Sequence, residues 1–224
     1  MTQLLTQNSK MKKSKEKIWN FGIPAYQSQS GFKTCPNAGA CAIGCYARSG
    51  AYMFSNVKTA FEYRLEVSQS NTFVCLMQTE IDKKQVKFLR IHDSGDFYDK
   101  EYLFKWMSIM HSNPNTLFYA YTKQVKMFKE LAFLFPKNFV YIYSFGGLQD
   151  SLIDVTKDRH SMVFPSVYAL RKAGYVNTSN EDSPAFKSIN HRIGLVFHHT
   201  KNIENTSWSA VLKKNLLNKK EVTL

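Results

Sequence analysis

The feature that most constrains the fold of this chain is an alternation of short apolar runs with amphipathic stretches across residues 86–198. Residues 86–92, 116–121, 139–144, 161–164 and 193–198 are dense in Val, Ile, Phe and Tyr and read as strands. Between them, apolar residues recur every three or four positions. Residues 99–111 carry Tyr102, Leu103, Trp106, Ile109 and Met110 at that spacing, and helical patterns also cover 123–135 and 148–158. Repeated strand, turn and helix units imply parallel strands with right-handed crossovers. The expectation is a single α/β domain built as a partial or small parallel β/α barrel. With 224 residues, 44% of them hydrophobic, the chain can fill one such core.

Ahead of the alternation, Phe54, Val57, Phe61 and Leu65 mark an amphipathic helix over 53–69. Residues 18–26 mix apolar side chains with Gly22 and Pro24, which suits a first short strand or an ordered approach to the next loop. Cys75, inside the apolar run 72–77, reads as core filling. The chain divides into a flexible basic segment at 1–17, a barrel-like catalytic domain at 18–205 and a basic tail at 206–224, helical over 207–220. Thirty Lys and Arg against seventeen Asp and Glu give a formal charge of +13, which favours a polyanionic partner, DNA or tRNA ahead of a membrane surface. Part of that excess is clustered near the two ends, as at Lys10, Lys12, Lys13, Lys15 and Lys17, and such clusters attract without specifying. No apolar run reaches the roughly 18 residues of a membrane span, and nothing in the first thirty residues reads as a secretory signal. A cytoplasmic, reducing location is expected; the oligomeric state is not legible.

Three of the four cysteines fall within the loop 34–47 at the spacing C-x5-C-x3-C: Cys35, Cys41 and Cys45, with Pro36, Gly39 and Gly44 letting the backbone curl. Three thiolates aimed at one place hold a metal or an iron–sulfur cluster and leave a fourth position for another ligand. A disulfide reading leaves one thiol over. A closed zinc site, completed by His92, His191, His198 or His199, stays open as the alternative.

In parallel α/β architectures the chemistry collects at the carboxyl ends of the strands. One such end reads His92-Asp93-Ser94-Gly95-Asp96-Phe97, in which an imidazole and two carboxylates surround a glycine. His92, Asp93 and Asp96 are the catalytic candidates there, with Ser94, Gly95 and Asp96 shaping a ligand clamp, and Asp99 is the cap of the next helix. The following strand ends in Thr122 and Lys123, placed to reach an anion. The next ends in Ser144, with Gly146 and Gly147 able to bring backbone amides close to a ligand.

The stretch Gly22–Phe164 resembles a phage-encoded family, the gene-product-eighty-eight family, through CPNAGACAIGCYA, RIHDSGDFYDKEYLFKW and FYAYTK. That likeness implies a viral setting, hence host cytoplasm, and names no reaction. The layout also resembles radical SAM enzymes, which carry a three-cysteine loop after the first strand, an aromatic residue beside the last cysteine, as Tyr46 stands beside Cys45, and a glycine-rich acidic turn further on. Ser94-Gly95-Asp96 lies 49 to 51 residues past Cys45 and opens a helix in the same way. The resemblance implies a 4Fe-4S cluster on Cys35, Cys41 and Cys45 and S-adenosylmethionine held at the turn. The spacing departs from the usual C-x3-C-x2-C, and DSGD replaces the usual GGE-type turn. Asp93-Ser94-Gly95-Asp96-Phe97 is also similar to the DSGGF-type turn of guanine transglycosylases, which exchange a nucleic-acid base for a deazaguanine. That likeness implies Asp93 as acid/base, zinc on the cysteines, and Asp150 or Asp154 as nucleophile. A non-catalytic nucleic-acid-binding protein stabilised by its metal is the third alternative.

Overall fold

The computed structural model describes residues 3–197, and in it seven parallel strands form one curled sheet, a half-barrel. The strands are β1 (Ile18–Phe21), β2 (Phe88–Ile91), β3 (Leu117–Thr122), β4 (Phe139–Ser144), β5 (His160–Phe164), β6 (Val176–Asn177) and β7 (Arg192–Val196). Their order across the sheet is β1-β2-β3-β4-β5-β7-β6. A doubly wound sheet reverses direction midway and covers both faces with helices. Here β1 to β5 stand in chain order, so their crossover helices share one face and the sheet curls around the other.

Helices α2 (Ser55–Gln69), α3 (Phe73–Lys84), α4 (Lys100–Ser112) and α5 (Val125–Leu131) build the outer core with Phe21, Leu89, Ile91, Phe118 and Phe139. In α4 the side chain of Asp99 accepts from Tyr102 N at 2.8 Å, satisfying an N–H the helix start leaves over, as expected of that residue. The inner face follows the strand period of two. Phe88 on β2, Tyr119 on β3, Ile142 on β4 and Ile193 on β7 meet Met11 from α1 (Ser9–Lys12) and Phe186 from α7 (Ser183–Lys187). These residues plug the lower half-barrel. A third cluster joins Phe164 to Leu170 and Ala173, from or just after α6 (Val167–Lys172).

Three expectations change. Residues 148–158 form a single 3-10 turn at Asp150–Leu152, because Asp150 turns back to bind Gly146 and Gly147, and Asp154 accepts from Thr156 in its own tight turn. Residues 72–77 open α3, in which Phe73, Met77 and Ile81 form the buried stripe and Cys75, off that stripe, is exposed. The short β6 was not foreseen at all. Residues 3–17, read as a flexible segment, are tied to the fold: Leu4, Leu5 and Met11 are buried, and Glu80 accepts from the amides of Leu4 and Leu5 at 2.6 and 3.0 Å. The helix expected at 207–220 and the residues His198 and His199 lie outside the described residues.

Candidate active site

Two backbone seams assemble the carboxyl edge of the half-barrel. The segment after β1 is stitched to the turn after β2: Asp93 N donates to Phe21 O, Ile23 N to Ser94 O and Asp96 N to Thr34 O, each at 3.1 Å. Cys35, next to Thr34, is thereby set beside the acidic turn. The rest of the cysteine loop lies on the turn after β4: Gly39 N and Cys41 N both donate to Gly146 O, at 3.1 and 3.0 Å, and Leu148 N donates to Asn37 O at 2.9 Å. Asn37 also donates to Gln124, whose Nε2 donates to Phe97 O at 2.6 Å.

The cavity so enclosed measures about 310 Å³, at the low end of ligand pockets. Cys35, Cys41 and Cys45 line it together with the whole turn from His92 to Asp96, and with Thr122, Lys123 and Ser144 from the next two strand ends. Gly146 and Gly147 stay off the wall. Their amides, expected to face a ligand, donate to Asp150 at 2.8 and 2.9 Å, so this turn serves as the seat of the cysteine loop.

All three cysteines are free thiols. Burial pushes the Cys35 thiol up to about 12, with the Asp96 carboxylate adding to it, and burial raises Cys41 and Cys45 as well. Lys123 works against burial at all three, and each sulfur has one backbone amide directed at it, from Tyr26, Gly39 and Ala47 respectively. Buried thiols with amide donors and a lysine nearby stay protonated on their own and ionise when a cation joins them. Among the described residues, no group of three or more His, Cys, Asp and Glu side chains is arranged to hold one metal ion. Cys35, Cys41 and Cys45 share one wall of the cavity.

The acidic turn divides its labour. Asp96 is consumed by structure: it accepts from Thr122 Oγ1 at 2.7 Å, Lys123 N at 2.9 Å and Phe97 N at 2.8 Å, so it locks the turn to β3. Asp93 is the less occupied carboxylate. Its Oδ2 takes a long contact from Tyr52 OH at 3.4 Å, the Asn20 side chain also acts on the carboxylate, and Oδ1 is buried. Burial raises its pKa, against the pull of Arg90 and Arg64, so it can carry a proton where an ordinary aspartate would not. Ser94 Oγ is buried without a partner. His92 has φ +65°, and its imidazole packs edge-on to Phe97 and shares a 2.8 Å hydrogen bond with Tyr102. Burial, seconded by Arg90, pushes it down to about 3, so the ring is neutral where the aromatic core meets the cavity. Gly95, at φ +86°, admits no side chain, since a Cβ there would stand 2.2 Å from Ile23.

Several participants escaped the sequence reading. Tyr46 OH donates to Asp93 O, tying the cysteine loop to the turn. Arg90, Lys10 and Asn8 line the deeper wall, and Asp182 stands behind them. Arg90 stands as the one charged residue within β2, Phe88–Ile91. Asp150 and Asp154, candidate nucleophiles of a base-exchange reaction, do not line the cavity, and His191 is engaged elsewhere, with its Nε2 3.1 Å from Val155 O. No helix among the described residues is long and apolar enough to cross a membrane.

A family model described as Gene product 88 matches residues 2–214. The chain is similar to the Gene 88 protein of Mycobacterium phage L5, at 31% identity over 116 residues, which cover 46% of this chain and 47% of that protein. It thus spans about half the length of the curated relative it matches. No solved structure matches it.

Proposed function

The chain belongs to the Gene product 88 family, and from that premise we propose that it is a phage metalloenzyme of the radical SAM kind, with a 4Fe-4S cluster on Cys35, Cys41 and Cys45. The observation that carries this reading is one shared cavity: three free thiols and an acidic strand-end turn face the same space at the carboxyl edge of a parallel half-barrel. Nothing in parallel topology forces a loop after β1 onto the turn after β4. The chain spends backbone hydrogen bonds to seat it there.

Cys35, Cys41 and Cys45 would hold such a cluster, which would supply single electrons to the cosubstrate. The chain's own residues do the rest. The amides of Tyr26, Gly39 and Ala47 and the charge of Lys123 favour the thiolate forms. Asp96 fixes the turn, Ser94 Oγ offers it a hydroxyl, and Asp93 holds or releases a proton at Oδ1. Lys123, whose Nζ donates to Ser144 Oγ at 2.9 Å, is placed to take an anionic end of the cosubstrate. His92 positions the turn. The +13 charge supports a nucleotide or nucleic-acid base as the substrate.

The test is anaerobic reconstitution with iron and sulfide, followed by electron paramagnetic resonance of the reduced protein. The reading expects a cluster signal that changes on adding S-adenosylmethionine, with the change lost in Asp93→Asn or Ser94→Ala while the cluster remains. A cluster signal indifferent to the cosubstrate rejects the radical SAM assignment.

A further inference from the structure

In the deeper wall of the cavity two cations share one ion-paired carboxylate. Lys10 Nζ pairs with Asp182 Oδ1, Arg90 Nη1 pairs with Oδ2 at 3.0 Å, and Tyr119 OH donates to the same Oδ2 at 2.7 Å. One carboxylate therefore serves two cations, all largely buried. Asp93 and Glu181 act on Arg90 and Lys10 respectively only from beyond ion-pair distance, and among the described residues no carboxylate other than Asp182 forms an ion pair with either cation. Arg90 Nε is buried with no partner at all. Natural interiors rarely leave a guanidinium N–H unpaired, because its desolvation is then uncompensated. Tyr121 lies under the guanidinium, 5.0 Å from ring centre to Cζ.

We propose that Arg90 and Lys10 form an oxyanion subsite that holds one carboxylate or phosphate group of a small substrate. Two cations held by one ion-paired carboxylate leave donor capacity for one such group, and with Nη1 on Asp182 and Nη2 directed at Tyr46 OH, Arg90 Nε is the guanidinium donor without a partner. The subsite lies between Arg90 on β2 and Lys10 on α1, below the turn that follows β2. A substrate anchored there by its anionic end presents its remainder to the cysteine rim. The cavity's volume excludes a duplex. That this anion belongs to the substrate rests on the reading of the cavity as an active site, whereas the binding itself does not.

The experiment is a titration of the full chain with inorganic phosphate and, separately, acetate, at constant ionic strength, following tyrosine fluorescence and Tm. Saturable one-site binding is expected, and preference between the two identifies the group as phosphate or carboxylate. Lys10→Met leaves a neutral Arg90–Asp182 pair, so it folds and binds at least tenfold more weakly. Asp182→Asn removes the carboxylate the two cations share. That variant is less stable, but its Tm recovers with added anion by more than the wild type's rises, an effect a merely structural carboxylate does not produce. Metal content is measured on the same samples. Weakened anion binding with metal retained supports the subsite, even if the bound metal proves not to be a cluster. Absence of saturable binding, or Lys10→Met binding as the wild type does, overturns it.

Discussion

His92, a candidate for chemistry, also has a structural part in the turn. A left-handed backbone at φ +65° turns the strand end inward, and the ring meets the aromatic core, where burial holds it neutral down to about pH 3. An unfolded histidine takes a proton near pH 6.5, so stability from this residue is complete above that pH and is lost as pH falls from about 6.5 toward 3. Urea unfolding at pH 7.5 and pH 5 should show a loss of about 2 kcal/mol that is absent in His92→Gln, whose amide is neutral at both. Comparing the two proteins isolates this residue from His160, which burial also lowers, and from Asp93 and Asp96, whose raised values act oppositely. The sequence marked the turn as functional but could not say which side chains face the cavity. That depends on the sign of φ at His92, which residue order does not encode.

At the scale of elements, the cysteine loop owes its position to the turn after β4. Gly147 was legible in the sequence as a residue needed for close approach, but the partner expected was a ligand. What approaches is the loop itself: a Cβ on Gly147 would meet Asn37 O at 3.0 Å and Lys123 Cβ at 3.1 Å. Gly147→Val should therefore unseat the loop without unfolding the half-barrel. Circular dichroism should keep its shape while bound metal falls severalfold, and a variant that retains full metal would refute the docking role. Strands β2 to β5 and β7 were readable because their apolar runs are short and separated by regular helical spacing. The helix expected over 148–158 failed for a specific reason. Asp150 and Asp154 are spent on local turns, and short acidic side chains bind nearby amides as readily as they start helices.

For the whole molecule, the half-barrel is completed by a segment that composition describes poorly. Lysines dominate residues 10–17, yet Leu4, Leu5 and Met11 are buried, Lys84 donates to Leu5 O at 2.9 Å, and Lys10 reaches Asp182. Leu5→Ala should cost about 2–5 kcal/mol in chemical denaturation, as for other fully buried leucines, and no loss would mean the segment is dispensable to the fold. Strand order explains why the carboxyl edges converge: sequential neighbours with helices on one face curl the sheet, so loops from β1 through β4 meet above a common interior. The central claim, three thiols sharing one metal group in that space, is tested most directly by iron, sulfide and zinc analysis. The samples are anaerobically purified chain and its Cys35→Ser, Cys41→Ser and Cys45→Ser variants. The account predicts iron and sulfide at about four each per wild-type chain, falling sharply in every variant. Colourless wild-type protein holding one zinc or no metal, or iron that survives the cysteine replacements, would contradict it.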